Sequence, residues 1–171
     1  MLRFIRGVIC LLLLLTCHGL SQGKVPEWYS RLQVLKPLSS TRHDVERVYT
    51  DATVDRTIYN TDITVVFYRE RNGWFRVSYD TGTCRPGNYR VAKDTLVRML
   101  YIPYRKDRFS DFLFDRKQFT KTFDSHDSSD HYLHKSLGFE VVTINGLVRH
   151  VEIFPSKSSP AEECPLEHQA R

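Results

Sequence analysis

Two stretches of this chain place apolar and polar residues in alternation, and each doubles back at an Asn-Gly pair: 63–79 around Asn72-Gly73, and 139–154 around Asn145-Gly146. A period of two brings side chains of an extended strand back to one face. Asn-Gly is the dipeptide that most readily takes the left-handed backbone of a tight hairpin. The chain therefore builds antiparallel sheet, and the remaining segments must cover it. In the first hairpin Phe75, Val77 and Tyr79 share one face, while Trp74, Arg76 and Ser78 share the other. In the last hairpin a three-residue loop, Ile144-Asn145-Gly146 with Gly146 left-handed, gathers Phe139, Val141, Leu147, Val151 and Ile153 on one face. That register sends Glu140, His150 and Glu152 to the opposite side. A two-residue turn would put Glu140 and Arg149 among the core residues, so the longer loop is expected. A third strand runs over 95–104, where Val97, Met99 and Tyr101 alternate against Leu96, Arg98, Leu100 and Ile102. Apolar residues on both of its faces predict a central place in the sheet.

One helix is signalled clearly. Thr41 with Asp44 three residues later has the spacing of a capping box, and Val45 and Val48 give a narrow apolar stripe over 41–50. A second helical turn fits 27–33. The stretch 105–124 follows no period and reads as an irregular connection packed by its phenylalanines. The expected fold is α+β: an antiparallel sheet of about five strands with one N-terminal helix packed on one face.

The N-terminus has the form of an export leader. Arg3 and Arg6 precede the apolar run Val8–Leu15, and the small residues Gly19 and Ser21 place a cleavage site before Gln22. Residues 1–21 are thus expected to be a signal peptide and 22–171 one domain, periplasmic or extracellular, with a short polar tail from Pro155. The apolar run is too short to span a bilayer, so no transmembrane segment is expected in the mature chain. Of the four cysteines, Cys10 and Cys17 leave with the leader. The remaining Cys84 and Cys164 are expected to form one disulfide, two free thiols being the alternative. Lipidation of Cys17 is a further alternative, although Thr16 stands where the lipoprotein pattern carries Gly, Ala or Ser. Of 25 Lys+Arg only Arg3 and Arg6 lie in the leader, and none of the 20 Asp+Glu does. The mature chain is only mildly basic, which argues against a nucleic-acid partner.

No nucleophile elbow, H-E-x-x-H, P-loop or G-x-G-x-x-G occurs, and no cofactor is expected. Two constellations stand out. Arg69, Arg71, Arg76, Arg85, Arg90, Arg98 and Arg105 are interleaved with Tyr68, Trp74, Tyr89, Tyr101 and Tyr104. Flat guanidinium and aromatic groups on one sheet can grip a glycan, an anionic polymer or a protein, with Trp74 and Arg76 as the binding residues. The bland alternative is a soluble sheet with half-buried aromatics. The second constellation is Asp124–His134, where His126, His131 and His134 could serve a metal-assisted hydrolase. Its spacing matches no preorganised motif, and a solvated turn is the simpler reading.

The segment Leu35-Lys36-Pro37-Leu38-Ser39-Ser40-Thr41-Arg42-His43-Asp44-Val45-Glu46-Arg47-Val48 resembles uncharacterised small secreted bacterial proteins in which a PLxSTRxDVER helix start precedes a strand pair, a Tyr-x-x-Gly-x-Cys loop and a closing hairpin before a second Cys. Matching pieces here are Tyr79–Cys84, Asp94-Thr95, Tyr132, Gly138-Phe139, Ile153-Phe154-Pro155 and Cys164; Tyr49-Thr50 departs from the Leu-Gly of that pattern. The helix start is also similar to that of the SmpA/OmlA small outer-membrane lipoproteins. The resemblance implies export and a disulfide and lends no catalytic residue. The expectation is an exported, non-catalytic binding module for a protein or glycan partner.

Overall fold

The structure, a computed structural model, describes residues 27–165 apart from 86–87, 113–114, 135 and 157–160. The expected leader, with Cys17, lies outside the described residues. Eight strands form one antiparallel sheet: β1 (Thr53–Tyr59), β2 (Ile63–Glu70), β3 (Gly73–Asp80), β4 (Leu96–Pro103), β5 (Phe119–Asp124), β6 (Ser129–His134), β7 (Phe139–Ile144) and β8 (Leu147–Ile153). Their order is β1-β2-β3-β4-β8-β7-β6-β5. Two helices of seven residues, α1 (Glu27–Gln33) and α2 (Arg42–Val48), contribute Trp28, Leu32 and Val45 to the core. The expected α+β fold of about five strands and one helix is therefore corrected: the protein is mostly sheet.

Three strands beyond the five expected are present, β1, β5 and β6, and the two at the edges sit where sequence periodicity is blind. β1 and β5 are the two edges, and apart from one half-buried residue in each all of their positions are exposed. Their extended form follows from pairing with β2 and β6 rather than from a buried face, so no alternation records it. The sheet consists of two four-strand meanders. Residues 104–118 carry the chain from β4 to the far edge at β5, and the second meander returns until β8 lies against β4. The connection is fastened to the β7–β8 turn, with Phe109 N–H donating to the Gly146 carbonyl (3.0 Å) and Val148 N–H to that of Asp107 (2.9 Å). Phe109 and Phe112 bury their rings in the core, as a phenylalanine-packed connection should.

The capping box at Thr41 is present: Asp44 N–H donates to the Thr41 hydroxyl (3.3 Å), and Thr41 N–H donates to the Asp44 carboxylate (2.8 Å). Tyr49 closes α2 and lays its ring on Phe75, with centroids 4.4 Å apart. On α1, Trp28 stacks on Tyr101 (5.3 Å). Arg31 reaches the carboxylates of Glu70 (2.9 Å) and Asp51 (3.0 Å), tying the helix to the sheet. Glu70 also accepts from the Tyr101 hydroxyl (2.5 Å). Its burial still pushes the carboxyl above its ordinary range, against the opposing pull of Tyr101 and Arg31.

The registers differ from expectation in an instructive way. The last hairpin closes with a two-residue turn in which Asn145 (φ 52) and Gly146 (φ 74) are both left-handed, and Ile144 pairs with Leu147. Taken alone, that turn would have buried Glu140 and Arg149. Instead Thr143 pairs with Val148 and Val142 with His150, so Arg149 is looped out in a bulge that restores the parity. Phe139, Val141, Val151 and Ile153 share the core as expected, whereas Leu147 is 38% exposed and Val148 takes its place. A second irregularity, opposite Ser78/Tyr79, passes over Val97 and brings Leu96 into the core beside Met99 and Tyr101. The first hairpin turns on Arg71-Asn72, one residue earlier than expected, with Gly73 paired to Glu70.

Cys84 and Cys164 form the expected disulfide, with Cα atoms 5.5 Å apart and a sequence separation of 80. Around it, Arg90 N–H donates to the Glu162 carbonyl (2.9 Å) and Cys164 N–H to that of Asn88 (2.8 Å). Among the described residues no helix is long and apolar enough to cross a membrane. Both features are compatible with an exported protein.

Candidate functional site

With the helices and the 104–118 connection on one face, the other face of the sheet carries a second set of apolar side chains. One row crosses it without a break. Arg56 on β1 pairs with Phe67 on β2, Phe67 with Arg76 on β3, and Arg76 with Leu100 on β4. Leu100 pairs with Glu152 on β8, and Glu152 with Glu140 on β7. In the next row Trp74 stands between Arg69 and Ile102. Val65, Phe67, Trp74, Arg76, Leu100 and Ile102 are all half-buried. An antiparallel sheet covered on one side ordinarily turns a polar face to water. Here β2 and β4 are apolar on both sides and β3 adds Trp74, and over these three strands the second face is half-exposed. Over β6–β8, Val142 (1% exposed) and Glu152 (6%) are buried on it.

The charges on this face divide by strand. Glu152 and Glu140 oppose each other directly, an arrangement that repels unless each finds a cation. Arg98 grips Glu152 through Nε and through Nη2 (2.7 Å to Oε2), and Glu140 Oε1 lies 2.9 Å from His131 Nδ1. The β6–β8 half is thereby closed on itself. In the β1–β3 half the guanidinium of Arg56 lies over the Phe67 ring (4.5 Å), and Arg69 meets Asp55 only at 3.6 Å. Arg76, half-buried between Phe67 and Leu100, has no ion-pair or hydrogen-bond partner among the described residues. The two residues singled out from sequence, Trp74 and Arg76, thus sit side by side on the open face.

The three histidines do not converge. His126 lies on the exposed β5–β6 turn, His131 faces outward beside Glu140, and His134, three residues on, points through the sheet to the opposite face. His134 accepts from Ser136 N–H at Nδ1 (3.4 Å), which leaves Nε2 to donate to Gln118 Oε1 (2.8 Å). The side chains that do approach within 4.8 Å are Asp124, Asp127 and His131. Asp127 is occupied by Arg149 and Ser129, and both His131 nitrogens are engaged, Nε2 lying 2.9 Å from Ser129 Oγ. Ser129, His131 and Glu140 follow the order of a hydrolytic triad. Ser129 is wholly buried, however, and its hydroxyl donates to Asp127. No substrate carbonyl can reach it there. Sequence reasoning missed this network because the bulge at Arg149 and the pairing of β6 with β7 assemble it.

His150, at the margin of the open face, is held below its ordinary value near 6.5 by burial, opposed by Glu152 and Glu140 and assisted by Arg149 and His131. In the window between its folded and unfolded values the unfolded chain binds the extra proton. Stability therefore rises with pH through that window and falls as the medium is acidified below about pH 6.5. Urea midpoints measured from pH 7.5 to 5 should fall in the parent protein, and His150→Asn should reduce the drop. An undiminished slope in the variant would place the titration elsewhere.

On the helix side a cleft of about 600 Å³ opens between α1, residues 35–39 and the ends of β5, β6 and β7, with Leu32, Leu35, Phe119, Phe139 and Phe154 in its wall. Its wall also carries Lys36, Asp115, Gln118 and His134; the last two bond to each other, and none of the buried polar atoms that lack a partner among the described residues lies there. Compared with protein-family models, with characterised proteins and with solved structures, the chain matches none. The class that fold and surface define is a disulfide-linked, single-sheet protein with one covered and one open apolar face.

Proposed function

We propose that this protein is an exported, non-catalytic binding module that uses the open face of its sheet, with Trp74 and Arg76 at the centre of the contact. One observation carries the reading: β2, β3 and β4 present a second, half-exposed apolar face beside a half-buried guanidinium with no carboxylate partner among the described residues. Leaving such a face open to water forgoes apolar burial, and a partner that covers it recovers that stabilisation. Aromatic and Arg side chains are also the residues that dominate binding energy at interfaces.

Trp74→Ala and Arg76→Ala are the test. Each should fold with its unfolding midpoint close to that of the parent, Arg76→Ala costing no more than about 0.5 kcal/mol. Each should weaken capture of partner material from envelope or culture-medium extracts by at least about tenfold, the loss of one well-packed contact or charge-assisted hydrogen bond. Unchanged capture by both variants would remove the open face from the function.

A further inference from the structure

We infer that the ligand of this face is an acidic polysaccharide, a chain of sugars bearing carboxylates at intervals; the inference rests on the open face being the binding surface. The unneutralised cations are sparse and set apart. Arg56 and Arg76 flank Phe67 in one row, two strand spacings or about 10 Å apart across the sheet. Trp74, on the same strand and face as Arg76, supplies a flat apolar surface. A pyranose ring has a face of C–H groups that stacks on an indole, and a uronate carboxylate at its rim fits the guanidinium fork in two parallel hydrogen bonds. Spacing such carboxylates by the length of a sugar unit suits separated arginines better than a continuous basic patch.

Other polyanions fit less well. A nucleic-acid duplex presents two densely charged strands, whereas the unpaired cations of this face are two separated arginines, Arg56 and Arg76. An extended acidic peptide draws its affinity from pairing with a sheet edge. Trp74 and Arg76 lie on β3, an interior strand whose two neighbours already occupy its backbone groups. What the face offers is side chains alone, in the combination that sugar acids use.

The experiment is a titration of the full, disulfide-bonded protein with polygalacturonate, followed by tryptophan fluorescence. The chain has two tryptophans; Trp28 is 5% exposed and stacked on Tyr101, so a surface ligand is reported by Trp74. A saturable change is expected with polygalacturonate and none with neutral dextran. Arg76→Ala should weaken binding by about tenfold or more, and Arg76→Lys should recover only part of it, because an ammonium lacks the planar fork. Matched unfolding midpoints establish that the variants are folded. Equal affinity for polyglutamate or single-stranded DNA would overturn the assignment to sugars. Equal binding by parent and Arg76→Ala would overturn the assignment to this face. Silence toward polygalacturonate, with extract capture still lost in Trp74→Ala, would end the polysaccharide inference and leave the binding face standing.

Discussion

Reduction and alkylation of Cys84 and Cys164 should lower the stability of this protein by about 4 kcal/mol, the value the chain-entropy model gives for a closed loop of 80 residues. The size follows from the length of the loop, because the cross-link removes conformational freedom from the unfolded chain. Beyond Phe154 the tail's described backbone contacts with the 88–90 segment are the bridge of Glu163 to Tyr89 and the bonds of Glu162 and Cys164. The reduced protein should unfold at a lower urea concentration, with a steeper slope because the opened unfolded chain exposes more surface. The Cys84→Ser/Cys164→Ser double variant should reproduce the shift without reductant. A midpoint that ignores both reduction and substitution would show that the tail contributes nothing to the cooperative unit.

Gly138→Ala should be about as damaging, at about 3 kcal/mol or more. Gly138 turns the chain from β6 into β7 with φ at +60, and a Cβ there would lie 2.0 Å from the Phe154 carbonyl oxygen. The same Phe154 donates its N–H to the Gly138 carbonyl at 2.8 Å, so the obstacle is backbone held close by a hydrogen bond and cannot rotate aside. Gly146→Ala is the control. Its φ of +74 carries the same handedness, but nothing lies within 4 Å of the added carbon. That substitution should cost only the left-handed strain of an L-residue, about 1 kcal/mol. Equal losses in the two variants would mean that backbone handedness, and not the close approach of Phe154, sets the requirement at Gly138.

The hairpins show how far local pattern reaches. Alternation alone separated Phe75, Val77 and Tyr79 from Trp74, Arg76 and Ser78, and the structure keeps that division. It did not reveal that the turn at Asn145-Gly146 is two residues long and that Arg149 is looped out to compensate. Two changes of parity cancel, so the core set came out nearly right from the wrong loop, and the residue displaced was Leu147, replaced by Val148. The bulge that brings Leu96 inward is hidden in the same way, because strand sequences record which faces are apolar and not where a neighbour skips a residue.

By itself the sequence determined whatever depends on residues near each other along the chain. That includes antiparallel hairpins from their period of two, the start of α2 from Thr41 and Asp44, and the placing of Trp74 and Arg76 on one face of one strand. Cys84 and Cys164 are the pair expected once residues 1–21 are set aside as a leader, with free thiols as the alternative, and the structure joins them. Tertiary structure alone decided what depends on distant segments meeting. The edge strands β1 and β5 are extended because a neighbour pairs with them, and the face bearing Trp74 stays open because α1, α2 and the 104–118 connection all pack on the other side. It also set His131 against Glu140 and His134 against Gln118, partners on other segments. Side-chain periodicity is local, whereas burial and charge compensation are properties of the assembled sheet.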